Sequence, residues 1–220
     1  MKILALEFSS AQRSVAVAES GAAPAGVASE MGGRHMRSLA LVESALRAAH
    51  WEREAVACIV VGLGPGSYTG MRAAISLAQG WALARAVKLL GVSSAACLAE
   101  QARAEKIFGR VNTVIDAQRN EFYLAAWDIT PDAVRVMEPL RLATLGEVQA
   151  RATAGETLVG PDVSRWLPFA RILFPHAATL TTFVSSQSAF VPGERLEPVY
   201  LRETSFVKAP PRRVLPISDR

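Results

Sequence analysis

The residues best suited to chemistry are a glycine-rich loop and two carboxylates at strand ends. Between Ala57–Leu63, a β-branched apolar run, and a helix from about Met71 to Ala86 lies Gly64-Pro65-Gly66-Ser67-Tyr68-Thr69-Gly70. Gly64, Gly66 and Gly70 let backbone approach a ligand closely, and the loop opens a helix N-terminus, whose free N–H groups suit an anion. With Ser67 and Thr69 as hydroxyl donors, this could cradle a phosphate or nucleotide. It could equally be a tight strand-to-helix turn capped by Ser67 or Thr69. No Lys follows Gly70, so it is not a Walker-type loop. Glu7 closes the first strand and Asp116 the strand that opens the second half. Two carboxylates in corresponding positions could hold Mg²⁺ or orient a water beside a phosphate. Alternatively, each caps its own hairpin turn through backbone N–H groups.

Other chemistries find little support. His35, His50 and His176 are the only histidines. Leu39 stands four residues after His35, so a two-histidine helical metal site is absent. No Ser-His-Asp or Cys-His constellation is visible. Cys58 and Cys97 each sit in an apolar run, which excludes a disulfide scaffold or a cysteine-ligated zinc and points to a reducing, cytoplasmic setting. Glu7 interrupts the first apolar stretch, which is too short for a signal peptide. No stretch approaches the roughly 20 apolar residues that span a bilayer.

The elements that must position these groups can be read from hydrophobic spacing. The chain has 220 residues, half of them apolar and a fifth charged, enough for a sizeable core. Residues 3–8 and 14–18 form an opening hairpin, with 22–28 as a weak third, edge strand. A helix over 35–49 carries two apolar stripes: Leu39, Val42 and Leu46 on one side, Leu41 and Ala45 on another. The helix 71–86, with Ala74, Ile75, Ala78 and Ala82, is apolar nearly all round, and Gly70, Ala74, Ala78 and Ala82 recur every fourth residue. Such helices must be buried on all sides, either against a partner subunit or under the second domain. Residues 89–92 and 95–105 read as strand and helix, and Val111–Ile115 with Glu121–Asp128 as a second hairpin. A hairpin thus opens each half. Frequent prolines keep the second-half elements short. Domains are expected at 1–104 and 105–203, with 204–220 an extended basic tail. Residues 201–220 hold five basic and two acidic residues, +3 of the chain's +4. Such a tail could touch RNA or an acidic partner, or stay solvated.

Several segments together resemble one bacterial family. ILALEFSS, GLGPGSYTGMR with AISLAQGWA, GVSSAACLA, VIDAQRNEFYLA and PVYLRE are similar to TsaB (YeaZ), needed to make N6-threonylcarbamoyladenosine (t6A) in tRNA. The resemblance covers residue 3 to about residue 203, and GPGSYTG followed by Arg72 is its most specific part. It implies an α/β, actin/Hsp70/sugar-kinase-like (ASKHA) fold of two related lobes, the second truncated. It also implies a non-catalytic scaffold for TsaD, the paralogue that modifies A37 of ANN-decoding tRNAs. TsaE, an ATPase, joins the larger complex, and tRNA is engaged indirectly. ATP and metal are expected on those partners, with no cofactor here. The family binds TsaD, or a second copy of itself, through its first two helices. This makes Leu39, Leu41, Val42, Ala45, Leu46, Arg72, Ala74, Ile75, Ala78 and Ala82 the expected interface, and a charge at Ala74 or Ala78 is expected to break partner binding in a chain that stays folded. Gly64, Gly66, Ser67, Thr69 and Gly70 become a vestigial phosphate loop, and Glu7 and Asp116 vestigial carboxylates.

Departures from the family pattern point the same way. TsaD holds metal on a His-x-x-x-His helix, where this sequence has His35 and then Leu39. A glycoprotease activity would need that same metal. The first strand in the family usually ends Asp-Thr-Ser; here Glu7-Phe8-Ser9 brings a longer carboxylate and a bulky ring that would crowd a phosphate. A small Mg-ATP-dependent phosphotransferase or ATPase using Glu7, Asp116 and the glycine loop remains the alternative. A sequence-independent RNA binder relying on the tail is the third reading.

Overall fold

A computed structural model describes residues 1–32, 37–168, 170–185 and 188–201. His35 and the 204–220 tail lie outside these residues. Two five-stranded mixed sheets carry the fold, and both are wound the same way.

In the first sheet, β1 (Lys2–Glu7), β2 (Gln12–Glu19) and β3 (Pro24–Met31) form an antiparallel meander. β4 (Cys58–Gly62) and β5 (Lys88–Val92) add in parallel on the other side of β1, giving the order β3-β2-β1-β4-β5. β4, all β-branched or small between Cys58 and Gly62, is buried along its whole length, as a central parallel strand must be. The second sheet repeats this plan: β6 (Gly109–Asp116), β7 (Glu121–Ile129) and β8 (Val134–Thr144) form the meander, and β9 (Thr157–Gly160) and β10 (Arg171–Ile172) add in parallel. This duplicated α/β architecture is the ASKHA fold.

Helices alternate with the sheets. α1 (Ser38–Ala48) and α2 (Tyr68–Ala84) cover one face of the first sheet, where Leu4, Leu6, Val15, Val17, Ile59 and Val61 meet their apolar sides. Strand alternation turns Ile3, Ala5, Ala16 and Val60 to the opposite face, against α5 (Ala177–Leu180). α3 (Ser94–Ala104) bridges the sheets: Cys97 joins the first core, and Ala95, Leu98 and Ala102 pack on β6 and β7. α4 (Leu145–Thr153) covers the far side of the second sheet through Val148. No described helix is long and apolar enough to cross a membrane.

The second half is the reduced copy. Where α2 spans 17 residues between β4 and β5, a three-residue turn, Val163–Arg165, is the helical element between β9 and β10. Its hairpin strands nevertheless run eight, nine and eleven residues, longer than the prolines suggested. Pro139 is accommodated because β8 is an edge strand and its pairing with β7 slips between Leu124 and Ala126, so the missing N–H interrupts no central ladder. The packing also corrects the expected division at residue 105. After β10 the chain returns to the first sheet: Ala177, Leu180 and Val184 enter its core, and Leu196 joins the cluster beneath α2.

Candidate functional site

Glu7 is fully buried at the C-terminal end of β1. Its Oε1 accepts a hydrogen bond from the Ser9 N–H at 2.8 Å and its Oε2 one from the Ser94 hydroxyl at 3.0 Å. Ser94 Oγ in turn accepts the Gly64 N–H at 3.2 Å. One carboxylate thereby ties the β1–β2 turn, the glycine loop and the start of α3 together. A side chain at Gly62 would overlap this carboxylate, so the smallest residue at the end of β4 makes room for it. Burial pushes the Glu7 carboxyl above the ordinary glutamate range, against the pull of the Ser9 and Ser94 hydrogen bonds.

The glycine loop lies against the same turn. The Ser67 N–H donates to the Ser9 carbonyl at 2.6 Å, and Ser67 Oγ accepts the Gly70 N–H at 3.3 Å. Ser67 is thus the helix cap, starting α2 at Tyr68, three residues before the spacing predicted; Thr69 is exposed. A Cβ at Gly70 would overlap the Phe8 carbonyl oxygen. The Phe8 and Ser9 carbonyls therefore pack directly against Gly70 and Gly66, while Ser67, Tyr68 and Thr69 are exposed. Of the two readings open for this loop, the geometry matches the capped turn.

Asp116 performs the equivalent task in the second half, where its Oδ1 accepts the Gln118 N–H at 2.7 Å across the β6–β7 turn. No group of three or more His, Cys, Asp and Glu among the described residues could hold a metal ion.

Three comparisons bear on this arrangement. A family model for TsaD, tRNA N6-adenosine threonylcarbamoyltransferase, matches residues 7–153. The structure of YeaZ from Pseudomonas aeruginosa superposes with a TM-score of 0.77 at 30% identity, over 91% of this chain and 99% of that one. The chain belongs to the TsaB (YeaZ) family. A second solved structure, an uncharacterized protein with similarity to peptidase YEAZ from Pseudomonas aeruginosa, gives 0.79 at 31% identity, over 91% and 99% of the two chains. The tRNA threonylcarbamoyladenosine biosynthesis protein TsaB of Escherichia coli (strain K12) is 27% identical, over 92% of this chain and 95% of its own.

The interface that TsaB resemblance implied needs redrawing at the level of residues. Leu41, Val42, Ala45 and Leu46 on α1, and Ala74, Ile75 and Ala78 on α2, are buried in the chain's own core against the first sheet. The small residues every fourth position let α2 settle closely on its own sheet, not on a second helix. A charge at Ala74 or Ala78 would therefore enter the protomer core, so the expected binding-only effect does not follow. Of the expected residues, Leu39 (65% exposed) and Arg72 are on the surface, and Ala82 is half-buried. Leu83, which pattern reading passed over, is 90% exposed. Leu39, Val42, Trp81 and Ala84 line an apolar groove of about 230 Å³ between α1 and α2, flanked by Arg53, Glu54 and Arg85. The signal for Leu83 was present: it lies off the line through Gly70, Ala74 and Ala78 that faces the sheet.

Proposed function

We propose that this chain is a non-catalytic subunit required for t6A formation at A37 of ANN-decoding tRNAs, binding and activating a TsaD-type transferase. The observation that supports this reading is the enclosed carboxylate: Glu7 is fully buried within its own hydrogen bonds, and the Phe8 and Ser9 carbonyls pack against Gly70 and Gly66. The alternative of a Mg-ATP phosphotransferase would need these groups to face solvent, and peptidase chemistry would need a nucleophile or metal set that sequence reading did not find. ATP and metal belong, on this reading, to the partners, a TsaD-type transferase and a TsaE-type ATPase.

The outward faces of α1 and α2, with Leu39, Leu83 and the groove between them, form the partner surface, used by a second copy when the chain is alone. The test is reconstitution of tRNA threonylcarbamoylation from the transferase, its ATPase partner and the carbamoyl-adenylate synthase, with and without this chain. Modification should require the chain, and the isolated chain should hydrolyse no ATP. Full modification without it, or Mg²⁺-dependent hydrolysis lost in Glu7→Ala, would overturn the proposal.

A further inference from the structure

The chain returns to the first sheet at His176. This residue is extended, with φ −130° and ψ 137°, and stands as the N-cap of α5. Its Nδ1 accepts the Ala178 N–H at 3.2 Å, a task that usually falls to Ser, Asn or Asp. Neighbouring groups pin the same point to two other elements. The Ala177 N–H donates to the buried Ser14 hydroxyl on β2 at 2.9 Å. The Cys97 thiol on α3 donates to the His176 carbonyl at 3.5 Å. Further on, Thr179 hydrogen-bonds Gln101 of α3, and the Ser20 hydroxyl donates to the Val184 carbonyl at 3.4 Å. Behind these bonds Ala177 and Leu180 are wholly buried in the core that Ile3, Ala5, Ala16 and Val60 form. With four residues, α5 is too short to hold itself as a helix; its cap and its core contacts hold it.

A ring nitrogen accepts a hydrogen bond only while it carries no proton. Protonation would turn Nδ1 into a donor facing the Ala178 N–H, and the cap would become a repulsive contact. Half-buried, the imidazole stays within reach of solvent. Strand alternation turns Glu7 of β1 and Cys58 of β4 to this side of the sheet, and α3 adds Cys97 with Glu100, which is paired to Arg103. The residues that β2 and β3 turn to this side, Ser14, Ala16, Val27 and Ser29, do not titrate. Burial alone lowers the imidazole below its ordinary range.

We infer that His176 is a proton-sensitive clasp: neutral, it holds residues 176–184 on the back of the first sheet, and protonated, it lets them open. The clasp goes beyond the t6A reading and does not depend on it. The neutral ring is the form that folding favours, so the contribution is complete above the ordinary imidazole value of 6.5 and is lost as pH falls through the lower folded one. The test is hydrogen exchange, followed by NMR as protection factors on the full chain, at about pH 7.5 and about pH 5. It compares the parent with His176→Asn and His176→Ala. Asparagine keeps an acceptor at the cap and has no proton to gain. In the parent, protection of the Ala177, Ala178 and Leu180 amides should fall roughly 3- to 30-fold at the lower pH, the range that one cap hydrogen bond spans, measured against the Ile59 and Val60 amides of β4. In His176→Asn it should hold at both, and in His176→Ala it should be low at both. No fall in the parent would overturn the inference. So would an equal fall in the parent and His176→Asn, which would place the sensitive proton on Glu7 or Glu100. Should His176→Ala fail to fold, the parent and His176→Asn decide the matter between them.

Discussion

At the scale of single residues, Glu7 and Gly70 carry distinct, separable effects. Folding raises the Glu7 pKa above its reference value of 4.5, so the folded state holds that proton more tightly than the unfolded chain. That contribution is complete below the unfolded-state value and is lost as pH rises through the folded one. Glu7→Gln keeps the shape and has no proton to lose. Its melting temperature should therefore gain on the parent's as the pH rises above 4.5, the reference value; a gap that stays flat would mean that Glu7 is not enclosed. Gly70 answers a steric question. Because a side chain there would meet the Phe8 carbonyl, Gly70→Ala should cost about 1–3 kcal/mol in urea unfolding. Parent-like stability would indicate open space beside the loop, and with it room for a ligand.

At the scale of elements, the second sheet depends on a surface network that joins α4 to β8 and β6. Arg151 pairs with Glu138 and Glu156 and donates to Asn112 Oδ1 at 2.8 Å, while Arg141 pairs with Glu147 and Glu138. Isolated exposed pairs are worth little, but Arg151 is largely covered, with 13% of its side chain exposed. Hydrogen bonds from Arg151 and Arg141 hold the Glu138 and Glu147 carboxyls below their ordinary range. Depressed carboxylates stabilise above their unfolded value and lose that contribution as pH falls through the folded one. Arg151→Met should then destabilise by about 2 kcal/mol at neutral pH, and the deficit should shrink as the pH drops below 4.5, the reference value for both groups. A pH-independent deficit in a denaturation series would assign the effect to packing alone.

At the scale of the whole molecule, α1 and α2 each have an inner and an outer side, and substitutions on the two should part ways. Ala78→Asp places a charge in the core beneath α2 and should prevent folding, seen as loss of a cooperative melt. Leu39→Asp combined with Leu83→Asp should leave the melt intact and lower the assembly mass in light scattering, both alone and with the transferase. If the double variant assembled like the parent, the partner surface would lie elsewhere. The layering leaves part of each outer side free: α3 and α5 lie between the sheets, the 193–200 segment meets α2 through Tyr68 and Gln79, and Leu39 and Leu83 stay exposed.

The continuous apolar runs of β1 and β4 and the two opening hairpins made much of the strand plan legible in the sequence, because local hydrophobic pattern reports which segments are buried. The glycine loop and the resemblance carried by GPGSYTG and Arg72 likewise pointed to the family before any coordinates. What periodicity cannot report is what does the burying. Ala74 and Ala78 read as a seam for a partner, yet they face the chain's own sheet. Glu7 read as either a cleft carboxylate or a turn cap; it does cap the turn, and Ser94, 87 positions away, closes over it. Tyr68 and Tyr200 became neighbours only when the chain returned from the second half. Each of these depends on contacts between distant segments, which only the tertiary structure decided.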